Sequence, residues 1–186
     1  MALPQPIYTT PEEYLRLDRN SPIRYEYIDG QAYALAGGTL DHSTICVNLV
    51  SLLHQLLQGT LCRVYNSDAR VRLSPTRYVY PDLTISCDAH DRGATDVLTA
   101  PRVVSEVLSP STEGYDRGEK FAHYRECPSV EAYILVATER RAIDVYLRQE
   151  QAPWEVRAYG PGDEVALTSV GARLPLDAVY AGVTVP

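Results

Sequence analysis

Two acids set inside apolar stretches, and a solitary lysine, are the residues best suited to chemistry. Asp82 lies in Tyr80-Pro81-Asp82-Leu83-Thr84-Ile85-Ser86, and Glu106 in Arg102-Val103-Val104-Ser105-Glu106-Val107-Leu108-Ser109. Each run is short, apolar and β-branched, which reads as a buried strand carrying one carboxylate. A carboxylate buried without a partner costs several kcal/mol, so something must neutralise the pair. Lys120 is the only lysine of the chain. Two acids and a lysine are the parts of a metal-dependent phosphodiesterase. Magnesium prefers oxygen ligands at ~2.1 Å in octahedral geometry, and two carboxylates from neighbouring strands could share one ion. The plainer reading pairs each acid with an arginine such as Arg70 or Arg72. It also makes Lys120 the i,i+4 helix partner of Asp116, a contact worth ~0.3–0.5 kcal/mol. Taken together, the three residues favour the metal site.

The elements that must position them can be read from turns and periodicity. Thr10-Pro11-Glu12-Glu13 predicts a capped helix running to about Arg19. Asp29-Gly30 predicts an N-terminal β-hairpin, with Tyr25 and Tyr27 on one face and Glu26 and Ile28 on the other. A long amphipathic helix is expected over 41–58, with Asp41 as cap, His42 in its first turn and Gly59 as stop. Strands follow at 61–65, 69–73, 78–87 and 103–108, with a polar loop over 88–99. A helix over 113–126 carries Asp116, Lys120 and Tyr124 on one face. Further strands are expected at 132–136, 143–148, 155–159 and near 165–168, then a short helix around 176–181. Gly37-Gly38 reads as a loop. The order predicts one α/β domain spanning residues 1–186, with a mixed sheet flanked by helices.

Composition sets bounds on function. A chain of 186 residues with 45% hydrophobic and 22% charged content is that of a soluble globular protein. No apolar run approaches the roughly 20 residues of a membrane span, and the first residues lack a leader pattern, so a cytoplasmic protein with no membrane partner is expected. Net charge is −7, which argues against a general polyanion binder. It leaves room for a nuclease whose acids are offset by a bound ion. Cys46, Cys62, Cys87 and Cys127 form no C-x-x-C pair, and reduced, partly buried thiols are expected.

The run Tyr80-Pro81-Asp82, then Glu106-Val107-Leu108-Ser109-Pro110-Ser111-Thr112, then Asp116, Lys120 and Tyr124, resembles a bacterial family called Uma-two, catalogued as a candidate restriction endonuclease domain. Tyr25-Glu26-Tyr27-Ile28-Asp29-Gly30, His42 and Glu131-Ala132-Tyr133 extend the likeness over roughly residues 24–145. The resemblance implies the PD-(D/E)xK nuclease superfamily: a restriction-endonuclease-like central mixed β-sheet flanked by α-helices, with magnesium or manganese as cofactor. By that likeness Asp82 and Glu106 are metal ligands. The lysine usual two residues after the second acid is replaced by Leu108, and Lys120 on the next helix is its match. Glu26 resembles an additional acid, ranked lower because exposed hairpin glutamates are common, and His42, Asp116 and Tyr124 form a supporting tier. The implied partner is nucleic acid, DNA ahead of RNA, and a homodimer would suit paired strand cuts. A catalytically inactive binding or assembly module on the same fold is the alternative reading.

Overall fold

A computed structural model describes residues 7–185. After a short strand β1 (Ile7–Tyr8), helix α1 (Pro11–Asn20) begins with the expected capping box, in which the Thr10 hydroxyl and the Glu13 carboxylate each accept from the other's backbone N–H. Strands β2 (Tyr25–Ile28) and β3 (Gln31–Ala34) form the expected hairpin, and Asp29 and Gly30 take the positive φ values of 45° and 96° that such a tight turn needs. Helix α2 (Leu40–Leu56) is capped by Thr39 rather than Asp41, the Thr39 hydroxyl accepting from His42 N–H at 3.2 Å. The chain then turns through Gly59, at φ +77°.

Strands β4 (Arg63–Asn66), β5 (Val71–Ser74) and β6 (Arg77–Val79) follow. The stretch 78–87, expected to be one strand, is two: β6 ends at Val79 and β7 begins at Leu83, ending at Ser86. Pro81 explains the break, because it has no N–H to continue a ladder. The loop expected over 88–99 contains a short helix, α3 (Ala89–Gly93), and buried Asp91 staples it by accepting from Ser86 Oγ, Thr99 N and Ala100 N. Next come β8 (Val103–Val107), a short helix α4 (Glu113–Tyr115), a wide π-type turn over Asp116–Lys120 and helix α5 (Phe121–Glu126). One helix was expected there. Gly114 and Gly118, both poor helix formers, fall where it is interrupted. The remainder comprises β9 (Ala132–Val136), β10 (Ile143–Gln149), β11 (Ala152–Tyr159), β12 (Glu164–Leu167), β13 (Ala172–Pro175) and α6 (Leu176–Val179).

The central sheet runs β11-β10-β9-β8-β7-β4, and only its β8–β9 pairing is parallel, so it is the expected mixed sheet. Alternation along β8 and β9 divides its two faces. Val103, Val107, Ile134 and Val136 meet Ile45, Leu49 and Leu53 of α2 in one apolar cluster, which α6 and the β12–β13 pair complete. Val104, Leu108, Tyr133 and Leu135 meet Tyr124, Val71 and Val79 in another on the opposite face. The second sheet, β1-β3-β2-β6-β5, lies toward that face, with Ile28 packed against the cluster. On its far side Tyr27 stacks on Tyr14 of α1, and Tyr78 packs against Tyr14 at a tilt. Tyr80-Pro81-Asp82 is therefore the crossing from the second sheet into the central one. No helix among the described residues is long and apolar enough to cross a membrane.

The cysteine expectation is corrected in part. Cys62 and Cys87 are joined in a disulfide with a sequence separation of 25, while Cys46 and Cys127 are free. The bond follows from register: Arg63 pairs with Ser86, which sets the next residues out, Cys62 and Cys87, side by side across β4 and β7. Closing a loop of that length stabilises by about 3.5 kcal/mol in the chain-entropy account. Denaturant melts of Cys62→Ser/Cys87→Ser protein should show a loss of that order.

Candidate functional site

Strands β7 and β8 are neighbours, as a shared ion requires. They pair antiparallel with Leu83 opposite Ser105, so one further step of that register sets Asp82 opposite Glu106. Side-chain parity on β8 directs Glu106 to the face covered by α5 and the second sheet, whereas Asp82, in the crossing just before β7, reaches toward His42 at the start of α2. Asp82 Oδ2 accepts from the backbone N–H of Val107 at 2.8 Å, which ties the acid to the strand that carries Glu106. Glu106 is 5% exposed. Its Oε1 takes a 2.6 Å hydrogen bond from Tyr124 and lies 2.8 Å from Lys120 Nζ. Among the described residues, nothing hydrogen-bonds to Asp82 Oδ1 or Glu106 Oε2. Each acid thus commits one oxygen to the protein and leaves the other open.

Lys120 is buried and sits between acids. Its Nζ is 3.2 Å from Glu26 Oε1 and 4.0 Å from Asp116 Oδ1, besides the contact with Glu106. The i,i+4 pairing with Asp116 and the contact with Glu106 therefore coexist. Glu26 was expected as an exposed hairpin acid, but it is 6% exposed and accepts from the Tyr80 backbone N–H at 3.2 Å. The cause is its parity on β2: with Tyr27 facing α1, Glu26 must face the central sheet. Neither acid of the pair meets Arg70 or Arg72 in a salt bridge. Arg70 is held instead by Asp18 and Asp96.

Electrostatically the site is rich in acid. Glu26, Glu106 and Asp116 are buried and Asp82 half-buried, against Lys120 and His42. Burial pushes Glu106 up to about 8; Lys120 opposes this, while Asp82, Asp116 and Glu26 add to it. Burial also raises Asp116. Burial works against the Lys120 ammonium, but Glu106, Glu26 and Asp116 outweigh it and hold its pKa well above the ordinary lysine value. A surplus of buried carboxylate with two open oxygens fits a hard divalent cation such as Mg2+ or Mn2+.

His42 points into this cleft. Its Nε2 lies 3.3 Å from Asp82 Oδ2, and that hydrogen bond is the main reason its pKa is raised, burial acting against it. Gly38 makes the placement possible, since a Cβ there would sit 2.8 Å from His42 Nδ1. Cys46, one turn along α2, was not anticipated; its Sγ lies 3.6 Å from His42 Nδ1. The available signal was the i,i+4 spacing of His42 and Cys46. Tyr133 was likewise missed as a support: its hydroxyl donates to the Asp116 carbonyl, fixing the wide turn that carries Lys120.

The sequence profile of the family described as "Uma2: Putative restriction endonuclease" matches residues 11–177. The chain belongs to the Uma2 family. Two relatives from Synechocystis sp. are described only as uncharacterized proteins. One, slr1290, is 40% identical over 93% of this chain and 92% of its own length, and the other, sll1609, is 28% identical over 78% and 84%. This Uma2 chain also shares its fold with a crystal structure from Anabaena variabilis described as a "putative nuclease", at a TM-score of 0.77 and 18% identity, covering 93% of this chain and 98% of that one. The restriction-endonuclease-like architecture expected from the Uma2 resemblance is thereby borne out.

In this Uma2 site Tyr124→Phe tests the support of Glu106. It removes the 2.6 Å bond while keeping the ring. Losing one donor to a buried carboxylate should cost about 1–3 kcal/mol, measured as a shift in denaturant midpoint.

Proposed function

We propose that the chain is a metal-dependent nuclease, hydrolysing phosphodiester bonds in nucleic acid, with DNA ahead of RNA. The observation that carries this reading is the pair Asp82, immediately before β7, and Glu106 on the adjoining β8, each held by one oxygen with the other open. Asp82 and Glu106 would hold Mg2+ or Mn2+. A divalent ion at such a site polarises phosphoryl oxygen and lowers the pKa of an attacking water. Tyr124 and Lys120 fix the rotamer of Glu106, while His42 and the Val107 N–H fix that of Asp82. Lys120, kept charged by the acids around it, can donate to the phosphate as negative charge grows. The lysine that Leu108 cannot supply thus reaches Glu106 from the neighbouring turn.

A homodimer is the assembly that paired strand cuts would require. Placed in the cytoplasm, as the sequence suggested, the chain would meet reducing conditions, so the fold must tolerate an opened Cys62–Cys87 pair. The test is incubation of purified protein with plasmid DNA and, separately, RNA, in Mg2+, Mn2+ or chelator. Metal-dependent cleavage supports the reading. Metal-dependent binding without cleavage would favour the alternative of an inactive binding module.

A further inference from the structure

We propose that His42, Cys46 and Asp82 form a second cation site, one suited to a zinc-class ion. Each of the three offers a ligand atom, and those atoms all lie within 4.8 Å of one another. They come from two elements that meet in the cleft: His42 and Cys46 from successive turns of α2, and Asp82 from the chain crossing before β7. Cys46 Sγ and His42 Nδ1 are 3.6 Å apart. That matches the edge, about 3.5 Å, of a tetrahedron built from zinc bonds of ~2.3 Å to sulfur and ~2.0 Å to nitrogen. Asp82 lies 3.3 Å from the other ring nitrogen, and its carboxylate joins an ion held at Nδ1 and Sγ by giving up the contacts with Nε2 and the Val107 N–H, a shift within the 4.8 Å that already spans the three ligand atoms. The fourth position is left to water, the arrangement of an open zinc site.

Donor chemistry separates this site from the Asp82–Glu106 pair. A thiolate with an imidazole selects a softer ion than magnesium, whereas two carboxylates do not. In the free protein Cys46 is a thiol, its pKa raised by burial and then by Asp82 and Glu106. As the sulfur–metal bond forms, that proton leaves to solvent and the ion takes its place. None of the catalytic roles above uses Cys46. Asp82 is common to both sites, so an ion on His42 and Cys46 withdraws it from Glu106. Zinc then acts as an inhibitor of the magnesium-dependent reaction.

Cobalt(II) titration of the intact protein tests the proposal without relying on activity. The expected result is a near-ultraviolet thiolate-to-cobalt charge-transfer band that saturates at one equivalent. It should vanish in Cys46→Ser, weaken in affinity in His42→Ala by more than the roughly 10–100-fold that loss of an outer-shell partner costs, and persist in Glu106→Gln and Cys127→Ser. Two separate ligand variants keep the test decisive if either fails to fold. A wild-type protein without the band, or a band surviving Cys46→Ser, would overturn the proposal. Loss of the band in Glu106→Gln would also overturn it, by placing the cobalt with Glu106.

Discussion

Glu106→Gln and Asp82→Asn should each lower metal-dependent cleavage by at least about 10²–10³-fold, the scale of losing one preorganised electrostatic group. Folding should survive. Gln keeps the shape of Glu106 and can still accept from Tyr124 and Lys120, the partners that position the wild-type side chain. Removing one carboxylate from a crowded set also relieves repulsion, so Glu106→Gln should match or exceed the wild type in melting temperature when chelator is present. The pH dependence has a defined sign. Burial raises Glu106 from 4.5 to about 8 in the folded protein. Its protonated form therefore favours the fold, fully below about 4.5, and that contribution is lost as pH rises through about 8. Wild-type stability relative to Glu106→Gln should fall across this window, and added Mn2+ should restore it. A cleavage loss accompanied by equal loss of folded protein would assign the effect to unfolding.

Lys120→Met should be the most damaging single change for the metal-free fold. Lys120 Nζ lies 2.8 Å from Glu106, 3.2 Å from Glu26 and 4.0 Å from Asp116, all of them buried. Removing one partner from a buried ion set typically costs about 3–5 kcal/mol, because the remaining charge has neither water nor a counter-ion. Lower pH, which protonates the acids, should recover part of this, as should Mn2+. Cleavage should stay low even where the metal restores the fold, since no ammonium faces the phosphate. Lys120→Arg should not rescue fully, because a planar guanidinium fork does not reproduce the point contacts that the ammonium makes with Glu26 and Glu106. Denaturation and cleavage assays run on the same preparations separate the two roles. Wild-type stability and activity in Lys120→Met would remove Lys120 from the account.

How far the site can be read from sequence varies with the kind of signal. Asp82 and Glu106 are legible because an acid within a β-branched run is anomalous wherever the run packs. The Asp29-Gly30 turn and the Thr10 capping box are local codes, and the chain follows both. Glu26 is harder. Strand parity correctly separates it from Tyr27, but which face is buried depends on the second sheet lying against the first. The passage from β6 to β7 reads as one apolar strand, and Pro81 alone marks where the chain changes sheets. The wide turn at Asp116–Lys120 depends on tertiary packing around Tyr133 as much as on Gly118. Pairing Cys62 with Cys87 requires the β4–β7 register, which no local pattern reveals. Cys46 gains meaning only once α2 sets His42 against Asp82.

The most direct test of the central claim is calorimetric titration of Mn2+ into wild type, Asp82→Asn and Glu106→Gln. The open oxygens of Asp82 and Glu106 predict saturable binding by the wild type and its loss, or at least about a tenfold weakening, in both variants. Equal Mn2+ affinity in all three proteins would contradict an ion shared by these two acids.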